Sequence, residues 1–148
     1  MFGIAERCSG IYHPTMAKPV GIVLVSHSRQ LADGLRDLLL QVSGAGEDEA
    51  AVAAAGGTVD GGLGTSDARI RTAIRAADRG SGVVVLTDLG SAVLTARAVL
   101  ADDTRDDVRL VDAPFVEGAV AATVLASTGA DLDAVCDAAR EARHVAKL

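Results

Sequence analysis

The chain has 148 residues, 49% of them hydrophobic and 23% charged, which is the length and apolar content of one globular domain. A formal charge of −6 with no basic run sets the surface against a nucleic-acid backbone, and no apolar stretch approaches the roughly 20 residues of a membrane span. Only 2% of the residues are aromatic and there is no Trp, so the core must be built from Ala, Val, Leu and Ile, which suits helices packed closely on a parallel sheet.

Residues 1–17, MFGIAERCSGIYHPTMA, show neither alternation nor helical period and lack the apolar stretch of a secretory signal. They read as an N-terminal appendage or leader, and the domain is expected over residues 18–148. From Pro19 the pattern is regular. VGIVLV at 20–25 predicts a buried strand closed by Ser26-His27-Ser28, and LADGLRDLLLQV at 31–42 follows at helical spacing. AAVAAAG at 50–56, bounded by the acidic Glu47-Asp48-Glu49 and by Gly56-Gly57, predicts a second strand. A glycine-rich turn from Gly56 to Gly64 then leads into Thr65-Ser66-Asp67, an N-cap cluster ahead of the helical stripe Ile70, Ala73, Ile74, Ala77.

GVVVLT at 82–87 has the β-branched content of a central strand, and Asp88 follows it directly. Gly90-Ser91 opens a helix through 92–101. VRLVDA at 108–113 predicts a fourth strand, and helices are expected over about 116–128 and 131–145, the last capped by Asp131. The order predicts an α/β fold: a doubly wound, mainly parallel open sheet of about four to five strands with helices on both faces.

In such a sheet, ligands gather at the carboxyl ends of the strands, where helix N-termini also point. The polar residues collect there: Ser26-His27-Ser28, Gly56-Gly57, Asp88 with Gly90-Ser91, and Asp112. His27 is the one histidine inside the apolar framework, since His13 lies in the appendage and His144 in the terminal helix. An imidazole that accepts a phosphoryl group needs one nitrogen free to attack, a carboxylate to hold the other as N–H, and donors for the phosphoryl oxygens. Asp88 supplies the carboxylate, and the helix openings after His27 and Gly90 supply N–H groups. Each residue alone has a plainer use, His27 as an exposed turn residue and Asp88 as a helix cap.

Other chemistries fit less well. The only lysines, Lys18 and Lys147, lie near the ends, and no Lys follows Gly64, so the glycine-rich turn is not a phosphate-binding P-loop and serves a loop equally well. Ser26 and Ser28 lack the GxSxG elbow of a hydrolase nucleophile. Cys8 and Cys136 stand far apart without a CxxC or a Cys/His cluster, against a disulfide scaffold or a zinc site and in keeping with a reducing cytoplasm.

Five ordered strings, GIVLVSHS at 21–28, AAGG at 54–57, GTS at 64–66, LTDLGSA at 86–92 and VDAPFVEGAVAA at 111–122, resemble the mannose-type enzyme IIA family, and within it the phosphotransferase subunit of bacterial dihydroxyacetone kinase. The GSA after Asp88 and the APFVEG segment look like the kinase branch, whereas sugar-transporting relatives carry a GGSP-like string at the first of these places. The resemblance implies a phosphoryl relay. His27 would accept phosphate from the histidine phosphocarrier protein of the phosphoenolpyruvate system and donate it to ADP on the nucleotide-binding kinase subunit.

It further implies Asp88 as the residue orienting the imidazole, with Gly90 and Ser91 matching the turn beside it; placement at the strand ends sets Ser28, Gly90 and Ser91 around the phosphoryl group and makes Gly56, Gly57, Thr65 and Ser66 a candidate site loop. No metal and no cofactor are expected on this chain itself, ADP residing on its partner. The family resemblance also implies a homodimer, with donor modules that are fused in some relatives expected as separate proteins. Two alternatives are a sugar-transport IIA component and a receiver-like regulatory domain phosphorylated on Asp88. The second would want acidic residues after strand one to hold magnesium and a lysine after a later strand, where this chain has Ser26-His27-Ser28 and no lysine. A nucleotide-binding scaffold, a third class, would bind ATP or NAD directly.

Overall fold

A computed structural model describes residues 18–46 and 50–148. The proposed appendage and the acidic run Glu47-Asp48-Glu49 lie outside the described residues. Four strands, β1 (Gly21–Ser26), β2 (Val52–Gly56), β3 (Val83–Thr87) and β4 (Val108–Leu110), form one sheet in the order β2-β1-β3-β4, every neighbouring pair parallel. Five helices connect and follow them: α1 (Arg29–Ser43), α2 (Asp67–Ala77), α3 (Gly90–Asp102), α4 (Phe115–Ala126) and α5 (Leu132–Glu141), with a 3₁₀ turn over Ala142–His144.

β1 is buried along its whole length because it is covered on both faces. Its side chains alternate between two cores. Ile22 and Leu24, with Val84 and Leu86 from β3, meet Leu35 and Leu39 of α1, Ala119 and Ala122 of α4, and Val135 and Cys136 of α5. Val23 and Val25, with Val83 and Val85, meet Ile70 and Ile74 of α2 and Ala92, Ala96 and Val99 of α3. Each large aliphatic side chain buried this way contributes about 1.5–3 kcal/mol. The alanines on α2, α3, α4 and α5 let the helices approach the sheet.

The doubly wound parallel sheet agrees with the sequence reading at its lower strand count. The boundaries differ in places. β4 was expected over 108–113 but pairs only to Leu110: Val111 N–H still reaches the Val85 carbonyl at 3.0 Å, after which Asp112 turns to solvent and Pro114 has no N–H to give. β2 begins at Val52, two residues late, because Ala50 N–H closes a turn onto the Gly46 carbonyl. α1 starts two residues before the apolar pattern because Ser28 caps it, accepting from Leu31 N–H. The last helix, expected to run to 145, stops at Glu141 and tightens into the 3₁₀ turn, a common helix ending.

The strand order positions the site. From β1 the chain turns to α1 on one face, and from β3 it turns to α3 on the other, so a crevice opens between the carboxyl ends of two adjacent strands. Gly56 keeps that edge tight: a Cβ there would stand 2.6 Å from the Ser28 carbonyl oxygen and 2.7 Å from Arg29 Cα. Gly57 follows with φ +72, the left-handed conformation that glycine adopts without strain.

Candidate functional site

β1 and β3 are in register with Val25 opposite Thr87, and Asp88 N–H donates to the Val25 carbonyl at 3.1 Å. Pairing thus carries one residue past the strand end and brings Asp88 beside Ser26 and His27. The carboxylate makes four hydrogen bonds. Oδ1 faces His27 Nδ1 at 3.0 Å and accepts from Leu89 N–H at 2.7 Å, while Oδ2 accepts from His27 N–H at 3.0 Å and from the Ser26 hydroxyl at 2.9 Å.

Burial disfavours the charged carboxylate, but the hydrogen bonds from the His27 backbone and ring, from Ser26 and from Leu89 outweigh it and hold the Asp88 carboxyl below its ordinary value. An ionised Asp88 can only accept, so the neutral His27 ring carries its proton on Nδ1 and its lone pair on Nε2. Nε2 lies 2.6 Å from Ser91 Oγ, which in this tautomer donates to it. The His27 side chain is 19% exposed against 8% for Asp88, so the ring presents an edge while its carboxylate stays covered.

Two helices begin here, and they begin differently. α1 is capped by the Ser28 hydroxyl. α3 has Leu89 at its N-cap, a residue with no side-chain acceptor, and so no side-chain cap bond. Its first N–H groups, at Gly90 and Ser91, carry the positive end of the helix dipole next to His27 Nε2.

The glycine-rich loop is joined to the site through its backbone: Gly64 N–H donates to the His27 carbonyl at 2.9 Å. Thr65 ties the loop to α3 through Thr95, Oγ1 to Oγ1 at 2.7 Å, and Ser66 caps α2. Gly56 and Gly57 give close approach to Ser28 and Arg29. An open cleft beside the imidazole is lined by His27, Ser28, Arg29, Gln30, Gly61, Gly62 and Leu63. Asp112, expected at the same edge, is exposed, pairs with Arg143 at 3.4 Å and takes no part in the His27–Asp88 bonds. Among the described residues no group of three or more His, Cys, Asp or Glu could hold a metal, and no helix is long and apolar enough to cross a membrane.

The arrangement is an imidazole held between Asp88 and Ser91 at a helix start, and the EIIA-man family model, described as the PTS system fructose IIA component, matches residues 21–136. The chain belongs to this family. It is 41% identical over 128 residues to the PEP-dependent dihydroxyacetone kinase phosphoryl donor subunit DhaM of Pantoea ananatis, covering 83% of this chain and 27% of that protein. The Escherichia coli DhaM is 39% identical over 119 residues, 78% of this chain and 25% of that one. The chain thus spans about a quarter of the length of these longer relatives. A shorter relative, the phosphoryl donor subunit DhaM of dihydroxyacetone kinase 2 in Listeria innocua, is 35% identical, with 71% of this chain and 84% of that protein covered. Among solved structures, that of the unknown-function protein EF1359 superposes with a TM-score of 0.70 at 35% identity, over 84% of this chain and 95% of that one.

His27 meets Asp88 and Ser91 through hydrogen bonds, Ser28 N–H reaches the Ser26 hydroxyl that also bonds Asp88, and Gly90 is the first residue of the helix that carries Ser91. Gly56, Gly57, Thr65 and Ser66 shape and anchor the neighbouring loop. Ser26 was weighed in the sequence only as a nucleophile, yet it bonds both Asp88 and the Ser28 N–H. The available signal was a hydroxyl ending a strand whose five preceding residues are all glycine or aliphatic.

Proposed function

We propose that His27 Nε2 is a phosphoryl acceptor and donor in the phosphoenolpyruvate phosphotransferase system. The observation that carries this is the Asp88 Oδ1 contact to Nδ1 at 3.0 Å, which leaves the lone pair of the neutral ring on Nε2, beside Ser91 Oγ at 2.6 Å. The Nε2 lone pair attacks the phosphorus of a phosphohistidine on the histidine phosphocarrier protein. The donor's P–N bond breaks, its electron pair returns to the donor ring, and the positive charge on the His27 ring is balanced by Asp88. Ser91 Oγ and the N–H groups of Gly90 and Ser91 surround the phosphoryl oxygens without lysine or metal. In the second half, a β-phosphate oxygen of ADP on the dihydroxyacetone kinase nucleotide-binding subunit attacks the same phosphorus and His27 Nε2 leaves. The chain binds no cofactor of its own and works in the cytoplasm as a homodimer. Residues 18–148 form the phosphocarrier domain, preceded by the 1–17 appendage.

The kinase branch is favoured over a sugar-transport component by the DhaM relatives and by the GSA string after Asp88. Phosphorylation on Asp88 is disfavoured because both its oxygens already accept two hydrogen bonds each. The test is to incubate the chain with phosphoenolpyruvate, the first phosphotransferase enzyme and the phosphocarrier. An acid-labile, base-stable phosphate should appear on His27 and be absent in His27→Ala. Equal labelling of that variant would reject the assignment.

A further inference from the structure

We infer that Ser26 is a positioning residue for the phosphoryl-transfer chemistry, fixing the Asp88 carboxylate so that Oδ1 meets His27 Nδ1. The role rests on the His27 reading given above, but the geometry behind it does not. Ser26 is fully buried at the end of β1, directly after the aliphatic run Ile22–Val25. A hydroxyl in such a place is retained at a cost unless its hydrogen bonds are met. Here they are met in one direction only: Oγ donates to Asp88 Oδ2 at 2.9 Å and accepts from Ser28 N–H at 3.0 Å. Because that N–H can only donate, the hydroxyl proton has Asp88 as its acceptor.

This chain of bonds, Ser28 N–H to Ser26 to Asp88 to His27, runs from the opening of α1 to the imidazole. The two oxygens of Asp88 are held from different sides. Oδ2 is pinned by two donors from β1 and its extension, Ser26 and His27 N–H, while Oδ1 takes the ring and Leu89 N–H. Without the Ser26 hydroxyl, Oδ2 keeps a single donor and the carboxylate plane can rotate about its last bond. Oδ1 then loses its fixed line to Nδ1, and with it the preference for a lone pair on Nε2. Ser26 itself touches neither the ring nor the cleft, so its effect passes through Asp88.

The experiment uses the unphosphorylated full chain. In Ser26→Ala, a carboxyl ¹³C titration should place the Asp88 midpoint higher than in the wild type, because one donor to its charged form is gone, and ¹⁵N spectra of the neutral His27 ring should show the Nε2–H tautomer that the wild type lacks. Phosphoryl uptake should fall about tenfold, the worth of one hydrogen bond to a charged group. Ser26→Thr, which keeps the hydroxyl, should restore all three readouts, and Ser26→Cys, a weak donor of similar volume, should fall between. If Ser26→Ala does not fold, the Thr and Cys pair decides by itself: equal Asp88 midpoints in the two would overturn the inference. A folded Ser26→Ala with an unmoved Asp88 midpoint and tautomer would do the same. Wild-type chain that takes no phosphate would instead reject the relay and leave the NMR result standing.

Discussion

Asp88 accepts four hydrogen bonds, only one of them from the imidazole, and that number fixes what a near-isosteric change would do. In Asp88→Asn one end of the side chain becomes a donor. Each oxygen's place faces one fixed backbone donor, Leu89 N–H at Oδ1 and His27 N–H at Oδ2, so the NH₂ opposes an N–H at either, and at the Oδ1 place it also faces the His27 ring. With the NH₂ there, Nδ1 has to accept, the ring proton moves to Nε2, and the nucleophilic lone pair is lost. Asp88→Asn should therefore fold and yet take up phosphate at least about 10²-fold more slowly, with the ring in the opposite tautomer. Stopped-flow transfer and ¹⁵N spectra together check this. Normal transfer in a folded variant would show that Asp88 does not set the tautomer. His27 and Asp88 were legible in the sequence because each follows directly on a strong strand. Ser26 was not, because its contribution is a bond between residues 62 positions apart and only strand register brings them together.

At the level of elements, α3 lacks a stabilising side-chain cap at the end where the proposed relay places the phosphoryl group. Leu89 is 61% exposed and makes no side-chain cap bond, although an acceptor there is ordinarily worth about 1 kcal/mol. Leu89→Asp should raise the melting temperature, since it caps the helix and meets the positive dipole end, and should slow phosphoryl uptake roughly tenfold, since a fixed carboxylate competes for the same N–H groups and repels the incoming anion. Opposite signs in the two measurements are the expected outcome. A loss of stability would mean that Leu89 is held for packing instead. The helices themselves were readable from apolar period and caps such as Ser66 and Asp131. VRLVDA carries a strand-like pattern to residue 113, but β4 has no outer neighbour among the described residues and Pro114 follows closely, and the pairing ends early.

Among the described residues, most ion pairs are exposed ones between Arg and Asp, such as Arg71 with Asp67 and Asp102 or Arg140 with Asp137, and pairs of this kind add little and are screened by salt. Asp88 differs because it is covered. Its carboxyl titrates below the ordinary value of 3.8 in the folded chain, so the unfolded chain takes up its proton first as pH falls. Its contribution to stability is complete above that value and is lost as pH drops through it toward the folded midpoint. Denaturant unfolding should therefore show stability level from neutral pH down to about 5 in this respect and declining below about 4, with the Asp88 share of the decline unchanged at high salt and absent in Asp88→Asn. A decline abolished by salt would assign it to the surface pairs.

The His27 side chain is 19% exposed, its Nδ1 is met by Asp88 and its Nε2 stands beside Ser91 Oγ at 2.6 Å, so Nε2 is the ring nitrogen left for the proposed transfer. A donor protein and an acceptor protein must both bring their reacting atoms to this one nitrogen, and they cannot occupy it together. For the relay proposed above, turnover is then a two-stroke shuttle with no ternary complex. Its initial-rate plots run parallel, excess of either partner protein inhibits by trapping the wrong form, and the abundance of this chain sets the ceiling on flux.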